Sequence, residues 1–450
     1  MSDYKITFTL RQHTPLIHFQ HDQAGATLRA TELKPKLDKY IATQMGGWEN
    51  LKHAHPNWLV GKGKAEQDAL NYKVKVSIVK QHIDTDRNSL LRFEEPKEER
   101  GQIKRKLDPA GNPKLDDFGK ELLDRRQFNG YFGNMDKETL RKELEMADQI
   151  KIEFFSNVRD VIGKIRELFP GFIHSTNFGT RQSKGFGSFT LDTTMEENKQ
   201  YFPIPQKWFF TFQPTGNSLF DREKQLFERI DWLYRSIRSG LNLKLNGNDR
   251  FYFKSMMYHY AQDQAPKIHW DKPVLRHHFF SSHPKYPVRA SGSDYPQKTG
   301  DTLFRDLLGL SSEQEWGHYN KAKMTKAGIT LKENGVPEIS RYKSPLIFKP
   351  VFINGKFFVY LLPVDSVEQE RFKKEPFQIS VTGKPSKTLK PFDGFTVNNY
   401  LNFCFNDFFK NASGGFDEPK FLANIKGNNQ IEGNFLKSAY KELLVNYNKP

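Results

Sequence analysis

Near the start of the chain apolar residues fall on every second position: Ile6, Phe8 and Leu10 against Lys5, Thr7 and Thr9. Period two marks a strand with one face buried. The pattern returns in "NYKVKVSIVK", with Val74, Val76 and Ile78 on one side and Lys73, Lys75 and Ser77 on the other, and in "QIKIEFFS" through Ile150, Ile152 and Phe154. Helical spacing separates these runs. "KPKLDKYIATQMGG" sets Leu37, Tyr40, Ile41 and Gln44 on one face, with Pro35 suited to a first turn and Gly46–Gly47 to a stop. "NVRDVIGKIRELF" does the same with Val158, Val161, Ile162, Ile165, Leu168 and Phe169, and "FGSFTLD" supplies a fourth strand. The order is strand, helix, strand, insertion, strand, helix, strand, which is a βαββαβ, ferredoxin-like (RRM-like) thread.

The insertion, about 85–147, is dense in charge ("EEPKEERGQIKRK"). Prolines in "YFPIPQ" (201–206) mark a boundary. Beyond it come a strand in "KWFFTFQP" and a helix in "DREKQLFERIDWLYRSIRSG". That helix has Leu226, Phe227, Ile230, Leu233, Tyr234 and Ile237 on one face, Asp221 as N-cap and Gly240 as stop. Asn354–Gly355, between two apolar runs, signals a hairpin. The expected fold class is therefore α+β: two ferredoxin-like modules with insertions, the first over 1–200 and the second over 201–450.

Lys plus Arg number 69 against 53 Asp plus Glu, a formal charge of +16. A field of that sign draws polyanions: RNA, DNA or an acidic membrane. The 39 phenylalanines argue against wholesale disorder. One cysteine, Cys404, builds neither a disulfide framework nor a thiolate zinc site. "MSDYKITFTL" lacks the layout of a signal peptide, and no apolar run approaches the roughly 20 residues a bilayer span needs. A cytoplasmic protein without membrane partners or cofactors is expected.

The densest candidate chemistry is "RQSKGFGSF", Arg181 to Phe189. Gly185 and Gly187 permit positive φ and close approach of another backbone. Successive amides in such a turn make a concave anion site. Arg181, Ser183 and Lys184 add charge and a hydroxyl, and Phe186 is placed to stack on a base or to enter the core. The same letters also suit a glycine bulge entering a strand beside solvated basic residues.

"HSTNFGTRQSKGFGSF" resembles the glycine-rich loop of the RAMP superfamily, the repeat-associated proteins of CRISPR effector complexes. Gly179, Arg181, Gly185, Phe186, Gly187 and Ser188 align with it, while Thr176–Asn177 replaces the usual glycine pair. "LRATELKPKLDKYI" is similar to the family's first helix at Thr31, Leu33, Lys34 and Leu37; Pro35 replaces a glycine and Asp38 stands where arginine is common. "YFG" (131–133) resembles the Phe-Gly before the third strand, and "ISRYKSPLIFKPV" the SPL segment of the large two-module RAMP subunit of type III-B (Cmr) complexes. The resemblance implies a subunit that binds CRISPR RNA or its target beside other effector subunits in antiviral defence. That large subunit is generally regarded as non-catalytic. The residues it implicates in RNA contact are the loop residues together with Arg29, Lys34, Arg341 and Lys343.

Two alternatives stay open. One is a metal-independent endoribonuclease, with His18 as general acid or base and Lys34 steadying the phosphorane; Asp22 lies in a loop comparable to the cutting loop of type III backbone subunits. The other is a structural subunit whose basic surface meets acidic protein neighbours. "HHFFSSH" and "KHAHP" lack the spacing of a zinc site, so no metal is expected. "GKGK" (61–64) is not a P-loop. Arg235 and Arg238 suit either a solvated helix end or a phosphate track.

Overall fold

The computed structural model describes residues 3–17, 28–63, 68–81, 146–194, 197, 208–216, 219–244, 250–284, 302–317, 319–333, 335–364, 366–427 and 430–448, with short stretches between 94 and 127. They group into two compact units. One comprises 1–205, 211–231 and 349–359; the other comprises 206–210, 232–348 and 360–450. The stretches 131–133 and 201–206, singled out above, lie outside the described residues.

The first unit is built on one four-stranded antiparallel sheet. β1 (Lys5–Gln12), β2 (Lys73–Gln81), β3 (Ala147–Phe155) and β4 (Phe189–Leu191) lie in the order β2-β3-β1-β4. Each pair of neighbours runs antiparallel. α1 (Ala30–Gln44) follows β1, and α2 (Arg159–Ser175) follows β3. Alternate strand residues divide between two environments. Leu10, Ile150, Ile152 and Phe154 are buried in one cluster with Leu33, Leu37 and Ile41 of α1 and Val161, Ile162, Ile165 and Phe169 of α2; Ile6, Phe8, Val74 and Val76 pack against it. The rings of Phe8 and Phe154 lie 4.6 and 5.1 Å from that of Phe169. Each fully buried side chain of this size contributes about 1.5–3 kcal/mol. Both helices thus cover the same face of the sheet.

Three details depart from the sequence pattern. Gln44 is exposed, and Leu33 and Ala42 take its place on the buried side of α1. Pro35 lies inside α1 rather than in its first turn, because the helix begins at Ala30. Ile78 is exposed, unlike Val74 and Val76, where the β2–β3 register shifts and the bulge re-aims the strand.

Helix α3 (Leu219–Arg238) buries Leu226, Phe227, Ile230, Leu233, Tyr234 and Ile237, as its spacing predicts. Asp221 sits in its first turn and is not the N-cap, since the helix starts at Leu219. Gly240, at φ 80°, ends it, donating its N–H to the Arg235 carbonyl at 2.8 Å. Strands Leu346–Ile353 and Lys356–Pro363 form the expected hairpin. Asn354 (φ 51°) and Gly355 (φ 76°) take its turn, both with the positive φ of a type I′ bend.

In the second unit a five-stranded sheet carries Thr302–Leu303, Lys387–Pro391, Phe377–Val381, Ala322–Gly328 and Glu313–Trp316 in that spatial order. A three-stranded sheet carries Leu241–Lys244, Arg250–Phe253 and Ile425–Lys426. The molecule is therefore a mixed α/β protein with several sheets. Among the described residues, the strands of the second unit are not gathered into one four-stranded sheet like that of the first. Among the described residues no helix is long and apolar enough to cross a membrane.

Candidate functional site

The glycine-rich segment runs alongside the extension of β1. The His13 N–H donates to Ser188 O at 2.9 Å, Gly187 N–H to Pro15 O at 2.8 Å, and Thr180 N–H to Ile17 O at 2.7 Å. The Thr14 hydroxyl donates to Gly185 O at 2.6 Å and accepts from the Ser188 N–H at 2.9 Å. This contact explains the glycines. A Cβ on Gly179 would lie 2.6 Å from Ile17 O, and one on Gly187 2.1 Å from Phe178 O; both residues have positive φ. A Cβ on Gly185 would meet Ile230 and Pro350. Only a residue without a side chain lets these chain segments approach so closely.

The arrangement corrects the anion-cradle expectation and decides between the two readings of Phe186. The Gly187 amide is bonded within the fold, and the Gly185 N–H points to Gln182 O at 3.4 Å, so neither opens as an anion cradle. Phe186 is fully buried, stacked on Phe227 with centroids 3.9 Å apart and planes at 6°. Its ring is core and presents no face to a base. The more exposed part of the segment is its tip, Arg181 to Lys184, each residue half-buried, with Arg181 at φ 57° and the Lys184 ammonium turned inward and buried.

Lys36 and Glu32 secure the tip. Glu32 accepts the Gly179 N–H at 2.5 Å and pairs with Lys36 at 3.0 Å; Lys36 also reaches Gln182 Oε1 at 2.9 Å and Asn177 O at 3.2 Å. A Glu and a Lys four residues apart on α1 carry that signal in the sequence, since the i,i+4 spacing brings them together.

Lys349 and Pro350, at the end of the "SPLIFKPV" run, pack against the loop within the first unit. Lys349 is fully buried, and its ammonium donates to three carbonyls: Ile173 at 2.9 Å, Thr176 at 2.7 Å and Phe189 at 2.7 Å. It thereby caps the C-terminal end of α2 and ties it to β4. Burial pushes its pKa well below the usual lysine value. The Ser188 hydroxyl donates to Pro350 O at 2.6 Å. Lys349 and Pro350 are thus packed with the glycine-rich segment, some 160 residues away in the chain, in the core of the first unit. Sequence reasoning misses Lys349; its signal is a lysine inside the apolar run "LIFKPVF".

His13 belongs to the same core. Its Nδ1 accepts the Phe352 N–H at 3.1 Å, leaving Nε2 to meet Thr190 Oγ1 at 2.8 Å. Burial first, then the charges of Lys349, Arg11, His174 and Arg222, hold its pKa well below the ordinary histidine value, so the ring is neutral. Glu223 on α3 is also fully buried; burial lifts its pKa to about 7 against the pull of Arg222, which donates to Oε1 from Nε at 3.0 Å and Nη2 at 2.9 Å.

The other candidates are scattered. Lys34 is engaged with Asp38 Oδ2 at 2.8 Å and Leu70 O at 2.7 Å, and lies 4.0 Å over the Tyr72 ring. Asp38 is buried, which raises its pKa against the opposing effect of Lys34. That pair binds α1 to the chain before β2, so Lys34 is not placed to steady a phosphorane. His18 and Asp22 lie outside the described residues. Arg29 occupies the N-cap position of α1 and is half-buried. In the second unit Arg341 and Lys343 are exposed on either side of Tyr342, whose ring stacks on Phe372 at 4.1 Å. Arg238 donates to Gly309 O at 2.7 Å and faces Asp306 at 3.5 Å, so its guanidinium closes a loop rather than lining a phosphate track. Asp306 also pairs with Lys326, and Asp271 with Arg305 at 2.7 Å, in a buried ionic cluster. Among the described residues no group of three or more His, Cys, Asp or Glu side chains converges to hold a metal ion.

Comparison with known proteins adds the family. No curated protein sequence matches. One solved structure, titled "Crystal structure of Cmr1 from Pyrococcus furiosus (apo form)", is similar at 10% identity, covering 86% of this chain and 99% of that one, with a TM-score of 0.32. A score that low does not establish a shared fold. The family models are decisive. The Cmr1 N-terminal domain matches residues 3–241 and the Cmr1 C-terminal domain residues 252–430. Matched in order over most of its length, this chain belongs to the Cmr1 family, RAMP proteins of type III-B Cmr effector complexes.

Proposed function

We propose that this protein is an RNA-binding, non-catalytic subunit of a cytoplasmic CRISPR effector complex, built from a ferredoxin-like first module and an α+β second half, and holding CRISPR RNA or target RNA beside other subunits. The observation that carries the reading is the Cmr1 match over both halves of a chain with formal charge +16. Arg181 and Ser183, at the loop tip, contact phosphates, with Arg29 at the start of α1, while Lys184, its ammonium buried, supports the tip from within. Gly185, Phe186 and Gly187 act one step back, by holding that tip in shape. Arg341 and Lys343 supply contacts from the second half. Affinity then comes mainly from counterion release, with sequence choice left to guide pairing. The engagement of Lys34 with Asp38 favours this reading over an endoribonuclease.

The test is titration of the full chain with a labelled single-stranded RNA at several salt concentrations. Arg181→Ala with Lys184→Ala is expected to weaken binding and to lower the salt slope by about 0.7, the share of the one phosphate contact made by Arg181. Wild-type affinity that is absent at physiological salt, or a slope untouched by the double substitution in a folded protein, contradicts it.

A further inference from the structure

The helices of the first unit cover one face of its sheet. The residues on the other face follow from the strand register. Lys5 lies opposite Phe155, which lies opposite Lys73; Thr7, Glu153 and Lys75 form the next row, then Thr9, Lys151 and Ser77. Arg11, flanked by Gln149 and Thr190, forms the last. Side chains of Lys5, Lys151 and Arg11 are 52%, 43% and 49% exposed, and Phe155 is 45% exposed. Lys73 and Lys75 are exposed too.

Lysine on an edge strand guards against unwanted pairing. That accounts for Lys73 and Lys75 on β2. It does not account for Lys5, Arg11 and Lys151, which stand on the two central strands, β1 and β3. The face carries five cations against two carboxylates: Glu153, held by Lys5 at 2.7 Å and Lys151 at 3.3 Å, and Asp192, 3.1 Å from Arg11. Past Arg11 and Gln149 the face meets a cleft of about 280 Å³, lined also by Asp148, Arg222 and Phe352. There the Arg222 guanidinium lies 4.4 Å over the Phe352 ring.

We propose that this open sheet face is a second surface for single-stranded RNA, with a base stacked on Phe155 and phosphates running past Lys5, Lys73, Lys75 and Lys151 toward Arg11 and the Arg222 cleft. Successive rows along a strand are about 6.7 Å apart, twice the rise per residue. The face is long enough for about four nucleotides, the short end of single-strand site sizes. Exposed aromatic surface interleaved with cations matches unpaired bases on a charged backbone. An acidic protein would match the cations but has no need of the ring. The proposal rests on the RNA-binding reading above but places contacts away from the loop tip.

The experiment measures fluorescence anisotropy of a labelled decauridylate with the full chain at several salt concentrations, with circular dichroism melts to verify folding. Lys5→Gln with Lys151→Gln is expected to weaken binding at least tenfold and to lower the salt slope by about 1.4, for two single-strand phosphate contacts. Phe155→Ala is expected to weaken binding fivefold or more while leaving the slope unchanged. Face variants that bind like wild type, while Arg181→Ala with Lys184→Ala binds less well, would overturn the proposal and leave the RNA-binding reading standing. Wild type without affinity for the oligonucleotide would overturn both. Displacement of the RNA by an oligoglutamate of equal charge at similar concentration would overturn it in favour of an acidic protein.

Discussion

Phe155 and Phe186 are phenylalanines of the same unit, each near lysine in the sequence, and they do opposite things. Phe155 ends β3 on the open face, 45% exposed. Phe186 sits between two glycines in the segment that most resembles an RNA-binding loop, and it is fully buried against Phe227. The glycines are needed because chain segments touch there, whereas the cations of the sheet face project to solvent because strand alternation sends every second residue outward. A motif can therefore mark a function without its letters touching the ligand. Here the loop letters build the support, and the proposed RNA contacts fall to the tip and to the neighbouring surface.

The largest expected effect that sharpens this contrast is on Phe186. Phe186→Ala removes a fully buried ring and is expected to cost about 4 kcal/mol of unfolding free energy in a denaturant titration; any loss of RNA affinity per folded molecule should be smaller than that of Arg181→Ala, since the ring supports the tip without touching RNA. Gly187→Ala puts a Cβ 2.1 Å from Phe178 O at φ 64°, and is expected to cost about 3 kcal/mol.

Next comes Glu223. Its carboxyl pKa, about 7 in the fold, is raised above the ordinary 4.5. The folded state therefore binds more protons than the unfolded state between these values, and stability falls as pH rises from about 4.5 through about 7. At 1.36 kcal/mol per unit, this group accounts for roughly 2–3 kcal/mol lost between pH 4.5 and pH 8. Glu223→Gln is expected to flatten that part of the pH–stability profile; a profile identical to wild type would show that Arg222 keeps the carboxylate ionised throughout. The smallest effect on stability is expected for Phe155→Ala, within about 0.5 kcal/mol, even though it is predicted to reduce RNA affinity. A large stability loss there would assign Phe155 to packing and erase the contrast.

Much of this fold is legible from periodicity. Strand alternation and the helix stripes identify Leu10, Ile152, Phe154, Ile165 and Phe227 as core, because burying one face imposes those periods. The Asn354–Gly355 turn is legible because both of its positive φ values suit those residues. What is not legible depends on partners far away in sequence. Lys349 looks like a surface lysine on a strand until the ends of α2 and β4 supply its three acceptors. Glu223 occupies an apolar position of α3, four residues before Phe227, and only the fold reveals its burial. The glycine loop shows its need for close approach, but the letters do not say whether the approaching group is RNA or the protein's own backbone.

Photochemical crosslinking of the full chain to a uridine-rich oligonucleotide, with the crosslinked peptides identified by mass spectrometry, tests the central claim most directly. Crosslinks are predicted within Lys151–Phe155 and at the Arg181–Lys184 tip, and none at Phe186. A dominant crosslink on Phe186, or crosslinks that avoid the first unit altogether, would contradict the account.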